Sequence, residues 1–235
     1  MEGRKDIYNV MIHKVPLVKT PWAQAQNHDE IIVNGHRLIL GAGIAEPGQV
    51  LKALVHMIWA CGWRQACYNY NTHKIKVGSW WDGPVFTKGT EEQLPDGTVY
   101  FVPNETWRSY DSYTDGIHDY LRLLDRPHMK QAKAAFYNPL ASVGDFAQAL
   151  EDSGYWTAKD ADESAIFESM ARRVLSTLER YGIQLAEKKN QFTQTQAPIN
   201  RAIQNSSSTA RAVGVGFGGA IFIGGLIWWA LKQKR

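Results

Sequence analysis

Residues 47–76, PGQVLKALVHMIWACGWRQACYNYNTHKIK, constrain this chain more than any other stretch. Apolar residues recur at Val50 and Leu51, Leu54 and Val55, and Ile58 and Trp59, close to the helical period. Glu46 can cap the start, and Pro47 suits the first helical position, where a missing N–H does no harm. Gly62 is well placed to end the helix, because glycine takes the left-handed conformation of a helix exit without a Cβ clash. The polar run that follows reads as a loop leading into a strand.

The rest of the chain divides by composition. Residues 1–45 contain VPLVKTPWAQ and EIIVNGHRLIL, apolar, β-branched and broken by turn signals such as Asn34-Gly35. They predict an N-terminal extension with one or two short strands. Residues 64–108 read as loop plus short strands, with Pro95-Asp96-Gly97 as a turn into the strand Thr98-Val99-Tyr100-Phe101. Ser112 with Asp115 has the pattern of a capping box ahead of a stripe formed by Tyr113, Ile117, Tyr120, Leu121 and Leu124. Further helices are expected over 142–152, stopped by Gly154, and over about 162–181. Residues 187–211 are rich in Gln, Asn, Ser and Thr and read as a polar linker.

Residues 212–231, AVGVGFGGAIFIGGLIWWAL, are twenty in a row without a charge. That length is enough to cross about 30 Å of hydrocarbon as a helix. Trp228 and Trp229 sit where interfacial aromatics belong, and Lys232, Lys234 and Arg235 favour a cytoplasmic C-terminus. A transmembrane helix is therefore expected, with a tail buried in a protein assembly as the alternative. Gly214 and Gly218 have the spacing that lets two membrane helices approach.

The length of 235 residues suits one good-sized domain plus these extras, and a net charge of +3 is too small to argue for nucleic acid. Nine tryptophans and ten tyrosines suit either a core or a carbohydrate-binding groove. Cys61 and Cys67 read as two buried thiols or as a disulfide pair. No Cys/His spacing suggests zinc, and neither a metal nor a cofactor is expected. The stretch MEGRKDIYNVMIHKV lacks the apolar run of a secretory signal.

Two short motifs carry a family resemblance. Trp59-Ala60-Cys61-Gly62-Trp63 and Asn71-Thr72-His73-Lys74-Ile75-Lys76 resemble the paired signatures Leu-Glu-Ser-Gly-Trp and Asn-Leu-Phe-Gly-Ile-Lys. These belong to the glucosaminidase domain of autolysins and of flagellar and phage peptidoglycan hydrolases. Trp107-Arg108-Ser109-Tyr110 is similar to that family's Phe-Arg-x-Tyr segment, and the likeness covers roughly residues 47–183. It implies an α+β, mostly helical, lysozyme-like domain over 46–186, with a small β-lobe beside a glycan groove. It also implies peptidoglycan strands as the partner, with Trp63, Asn71, Tyr110 and Tyr113 at glycan-binding positions. Ala60 stands where the family has its general-acid glutamate.

That departure decides what chemistry is left. Glycosidic cleavage needs an acid on the leaving oxygen, and losing one costs ~10²–10⁴-fold. Asp82, Glu91 and Glu92 are the candidate replacements, with Asp111 behind them. The ordinary reading of each is a solvated loop carboxylate or helix cap. Glu46 lies at the far end of the helix, roughly 20 Å away by helical rise, and cannot substitute. Pairing an envelope-directed domain with a membrane tail and no export signal points to a phage virion protein. Its expected place is the particle, then the host envelope as the genome enters, with other virion proteins or a second copy as further partners. The reading from a different class is a structural or membrane-penetrating subunit whose glycine-rich helix is the working part.

Overall fold

Asn27 opens the first helix by accepting the Glu30 N–H on its side-chain oxygen at 3.0 Å. Helix α1 (His28–Gly41) follows, in a computed structural model that describes residues 13–20, 27–63, 67–78, 80–94, 98–156 and 162–185. This corrects the expectation of strands across 30–40. Ile31, Ile32, His36 and Ile39 lie on one buried side at helical spacing, and Asn34-Gly35 sits inside the helix rather than at a turn. The β-branched residues favour a strand only weakly; burial against the core overrides that preference. The extension over 13–20 is extended, bridging Lys14 to Val85 and Lys19 to Tyr68.

Helix α2 (Pro47–Cys61) is as the spacing predicts. Glu46 caps it through the Gln49 N–H at 3.1 Å, and Gly62 ends it in the left-handed conformation at φ 49°. Nearly every side chain of α2 is buried, so it runs through the domain rather than along its surface. Strands β1 (Val85–Gln93) and β2 (Val99–Arg108) pair antiparallel as a hairpin, with a register shift between Lys88 and Thr90. Val85, Phe86, Trp107 and Arg108 bury its base, while Val99 and Phe101 leave the far end exposed.

Helices α3 (Tyr113–Leu124), α4 (Lys130–Tyr137), α5 (Val143–Asp152) and α6 (Glu163–Arg180) complete the described residues. Ser112, Ser142 and Asp162 cap α3, α5 and α6, each accepting a backbone N–H of the first turn. Ile58, Tyr120, Phe136, Phe146, Phe167 and Val174 form the centre of one core around α2. The buried Lys52 ammonium reaches across to α4 and donates to the carbonyls of Ala135 and Asn138, each at 2.8 Å. These carbonyls lie at the end of α4, where Pro139 has no N–H to give Ala135 O, while Asn138 O also accepts the Ala141 N–H at 3.2 Å. The architecture is α+β and mostly helical, with one two-stranded sheet among the described residues. No helix among them is long and apolar enough to cross a membrane; the linker and the apolar tail expected over 187–231 lie outside them.

Candidate functional site

The exit of α2 sets the geometry. Gly62 N–H bonds back to Trp59 O and Trp63 N–H to Ile58 O, so the chain reverses tightly just after Ala60. Ala60 is 1 % exposed. Its neighbour Cys61 is also buried and donates its thiol to Thr72 O at 3.0 Å, which ties the helix end to the next loop. Cys61 and Cys67 are both free thiols.

That loop holds an unusual backbone. Trp63, Asn69, Tyr70 and Lys74 are non-glycine residues at φ between 47° and 56°. Such conformations persist only where surrounding bonds over-determine them, and they gather at functional sites. Two asparagines supply the bonds. Asn71 accepts the Ile75 N–H at 2.8 Å and donates to Ile75 O at 2.9 Å and Arg108 O at 3.0 Å. Asn69 accepts the Val18 N–H and donates to Pro16 O and Ser109 Oγ. The loop is thereby fixed to the end of β2 and to the extended N-terminal segment.

Beside it lies a buried ionic cluster. Arg108 Nη1 and the Tyr110 hydroxyl both donate to Asp119 Oδ2 at 2.7 Å. Burial, and next the charge of Asp119, push the Tyr110 hydroxyl far above the usual phenol range. Asp119 on α3 and Arg108 on β2 thus lock the hairpin base to the helical part. The residue types gave one signal of this: Asp119 stands inside the apolar stripe of α3, between Ile117 and Tyr120.

The expected glycan residues do not all meet. Asn71, Tyr110 and Tyr113 share the loop, since Tyr110 N–H bonds to Asn69 O and the Tyr113 ring meets Tyr70 edge-on at 4.9 Å. Trp63 points elsewhere: its ring stacks on His28 of α1 at 4.2 Å, with the Arg173 guanidinium of α6 at 4.5 Å. Among the candidate carboxylates, Asp82 and Glu91 are exposed on the β-lobe. Glu92 is held by Lys76 at 2.6 Å, and Glu105 shares that ammonium at 3.1 Å. Burial works against the Lys76 charge, but these two carboxylates outweigh it and raise the pKa above the usual lysine value. A shallow pocket between loop and hairpin is lined by Tyr68, Asn71, Lys74, Lys88 and Trp107, among others.

One acidic group was hidden in the sequence. Glu163 opens α6, where an acidic residue reads as an ordinary partner of the helix dipole. In the structure it is 5 % exposed, with Oε2 unpartnered. Burial, then the charge of Glu151, raise its pKa to about 7, partly offset by a hydrogen bond from Trp59. Trp59 immediately precedes Ala60, and its ring lies 4.8 Å from that of Trp156. No group of three or more His, Cys, Asp or Glu among the described residues is arranged to hold a metal ion.

No family model matches the sequence, and no curated protein matches it. The fold does have solved counterparts. A peptidoglycan hydrolase mutant from Sphingomonas sp. A1 overlays with a TM-score of 0.51 at 22 % identity, over 62 % of this chain and 99 % of that one. The glycoside hydrolase domain of FlgJ from Salmonella typhimurium overlays at 0.48 with 21 % identity, covering 67 % of this chain and 94 % of that one. The catalytic domain of the autolysin Auto from Listeria monocytogenes gives 0.46 and 16 %, covering 68 % and 89 %. At these identities the first overlay shows a shared fold and nothing finer.

Proposed function

We propose that this chain is a peptidoglycan-directed, glucosaminidase-like protein that engages glycan strands at the bacterial cell wall and cleaves them weakly or not at all. The observation that carries the reading is Ala60, buried at the end of the central helix of a fold shared with a peptidoglycan hydrolase. In this reading Ala60 occupies the general-acid position, and alanine can neither donate a proton nor stabilise an oxocarbenium ion. Asn71, Tyr110 and Tyr113 belong to the glycan side of the loop, and Asp82, Glu91 and Glu92 are the carboxylates left to assist.

The test is zymography on peptidoglycan with the natural chain beside Ala60→Glu. A silent chain and a cleaving variant support the reading. A cleaving natural chain moves the chemistry to another carboxylate, with Asp82, Glu91, Glu92 and Glu163 the next substitutions. Silence from both, together with no binding to glycan, overturns it.

The charge-free run over 212–231 supports a placement as well. The chain would be carried in a phage particle and anchored by that run in the host envelope as the genome enters, its domain facing the wall. Detection of the protein in host cytosol and never in particles would overturn this placement. The run also favours a second reading, a structural or membrane-penetrating virion subunit. Liposome leakage by the 205–235 peptide, with no glycan binding by the full chain, would select it.

A further inference from the structure

Trp80 is clasped by two arginines. The Arg108 guanidinium lies 3.7 Å from its ring centroid and the Arg126 guanidinium 3.6 Å. Two cations this close to one centroid can only occupy opposite faces of the ring. Trp80 precedes the hairpin and Arg126 follows α3, so the stack bridges the β-lobe and the helical part beside Tyr110 and Asp119.

The two cations differ in their counter-ions. Arg108 is neutralised by Asp119. The carboxylate next to Arg126 in sequence, Asp125, is bound by Lys133 at 2.8 Å. Arg126 forms no ion pair among the described residues, and it is only half-buried. A guanidinium stacked on an aromatic face keeps its N–H edge free, and that edge matches a carboxylate in a two-point fork. Trp80 fixes the plane of the fork in advance, so little side-chain freedom remains to be lost on binding.

We propose that Arg126 reads a carboxylate on the glycan strand, and so separates peptidoglycan from uncharged chains of N-acetylglucosamine. The proposal rests on the glycan reading above. In peptidoglycan every second sugar bears a lactyl ether, whose carboxyl is free in stripped strands and joined to a peptide with its own carboxylates in the intact wall. Chitin oligomers share the N-acetylglucosamine unit and lack any carboxylate.

The experiment titrates the full chain, in detergent, with three tetrasaccharides: chitotetraose, a peptide-free peptidoglycan fragment and its peptide-bearing counterpart. Arg126→Gln and Arg126→Lys are measured alongside. The natural chain should bind a carboxylate-bearing fragment about tenfold or more tighter than chitotetraose. Arg126→Gln should bring that ratio close to one while leaving chitotetraose affinity unchanged, and Arg126→Lys should keep part of it. Preference for the peptide-free fragment assigns the lactyl carboxylate, and preference for the other assigns the stem peptide. A ratio that survives in Arg126→Gln, or an equal loss for all three ligands, overturns the proposal and leaves Arg126 a packing residue. If the natural chain binds none of the three, the glycan reading itself falls and this one with it.

Discussion

Ala60 puts a single methyl group in a buried position at the end of α2. The site is almost sealed, so a carboxyl introduced there must enter a poorly solvated space. Desolvation favours its neutral form and raises its pKa in the folded state. A raised pKa adds stability below the unfolded value and removes it as pH rises. Ala60→Glu should therefore match Ala60→Gln near pH 4 and fall behind it by ~1–3 kcal/mol at pH 8. Urea unfolding of both variants at the two pH values measures this. Equal stability at both would mean that the introduced carboxyl reaches water, and the sealed-site description would be wrong. The same shift is what a general acid needs, so the pH dependence of stability and of zymogram activity in Ala60→Glu should move together. Asn71 is the other decisive residue. Its amide makes two bonds to Ile75 of the loop and one to Arg108 O of β2, and Asn71→Ala should cost ~2–4 kcal/mol in the same unfolding assay, because buried carbonyls and an N–H lose their partner.

Elements meet at contacts that the sequence shows unevenly. α3 approaches the 67–76 loop so closely that a Cβ on Gly116 would fall well inside van der Waals contact with the Tyr70 carbonyl oxygen. The obstacle is backbone, which cannot swing aside. Gly116→Ala should lower stability by ~1–3 kcal/mol, despite alanine's better helix propensity, and a melting curve that rises instead would sink this account of the packing. Helix α2 was legible from end to end because local signals agree: a capping Glu46, Pro47 at the first position, apolar spacing and Gly62 at the exit. The Ser112–Asp115 pattern also disclosed α3, and Gly154 marked the end of α5. α1 is not legible in the sequence, since Ile31, Ile32 and Val33 next to Asn34-Gly35 look like a strand and turn until core neighbours are present. α4 gave little sign of itself. It is short and buries only Ala132 and Phe136, and a donor for its last carbonyls is Lys52, which arrives from a distant helix. The candidate site shows the same division. Asn71 and Tyr110 were found through short motifs, whereas the roles of Asp119, Arg126 and Glu163 depend on partners brought together only by folding. Trp63 shows the converse: its motif position was plain, but His28 and Arg173 enclose it from opposite ends of the domain.

For the whole molecule, buried titratable groups impose opposing pH dependences. His73 is fully buried, and desolvation lowers its pKa to about 3 from 6.5, against a small opposing effect of the Ala53 carbonyl. His56 is lowered well below 6.5 by burial and then by His73, inside a shell that includes Tyr120, Phe146, Tyr155 and Phe167. A lowered folded pKa contributes stability that is full above 6.5 and lost as pH falls toward the folded value. Glu163 works the other way. Its pKa rises from 4.5 to about 7, so its contribution is full below 4.5 and lost as pH rises through 7. Between 4.5 and 6.5 two histidines oppose one carboxyl, so the histidines prevail and stability falls toward acid pH. Glu163→Gln separates the two effects. It resembles the protonated acid, so it should equal the natural chain at pH 4.5 and exceed it by ~1–3 kcal/mol at pH 8, while keeping the acid limb. His56→Phe should flatten that limb and leave the alkaline side alone. Denaturant unfolding at pH 4.5, 6 and 8 distinguishes them. Glu163→Gln and natural curves that run parallel across this range would mean that Glu163 ionises freely in the folded protein. It would then be an ordinary surface carboxylate, and it would drop out of the acids to be tested at the end of α2.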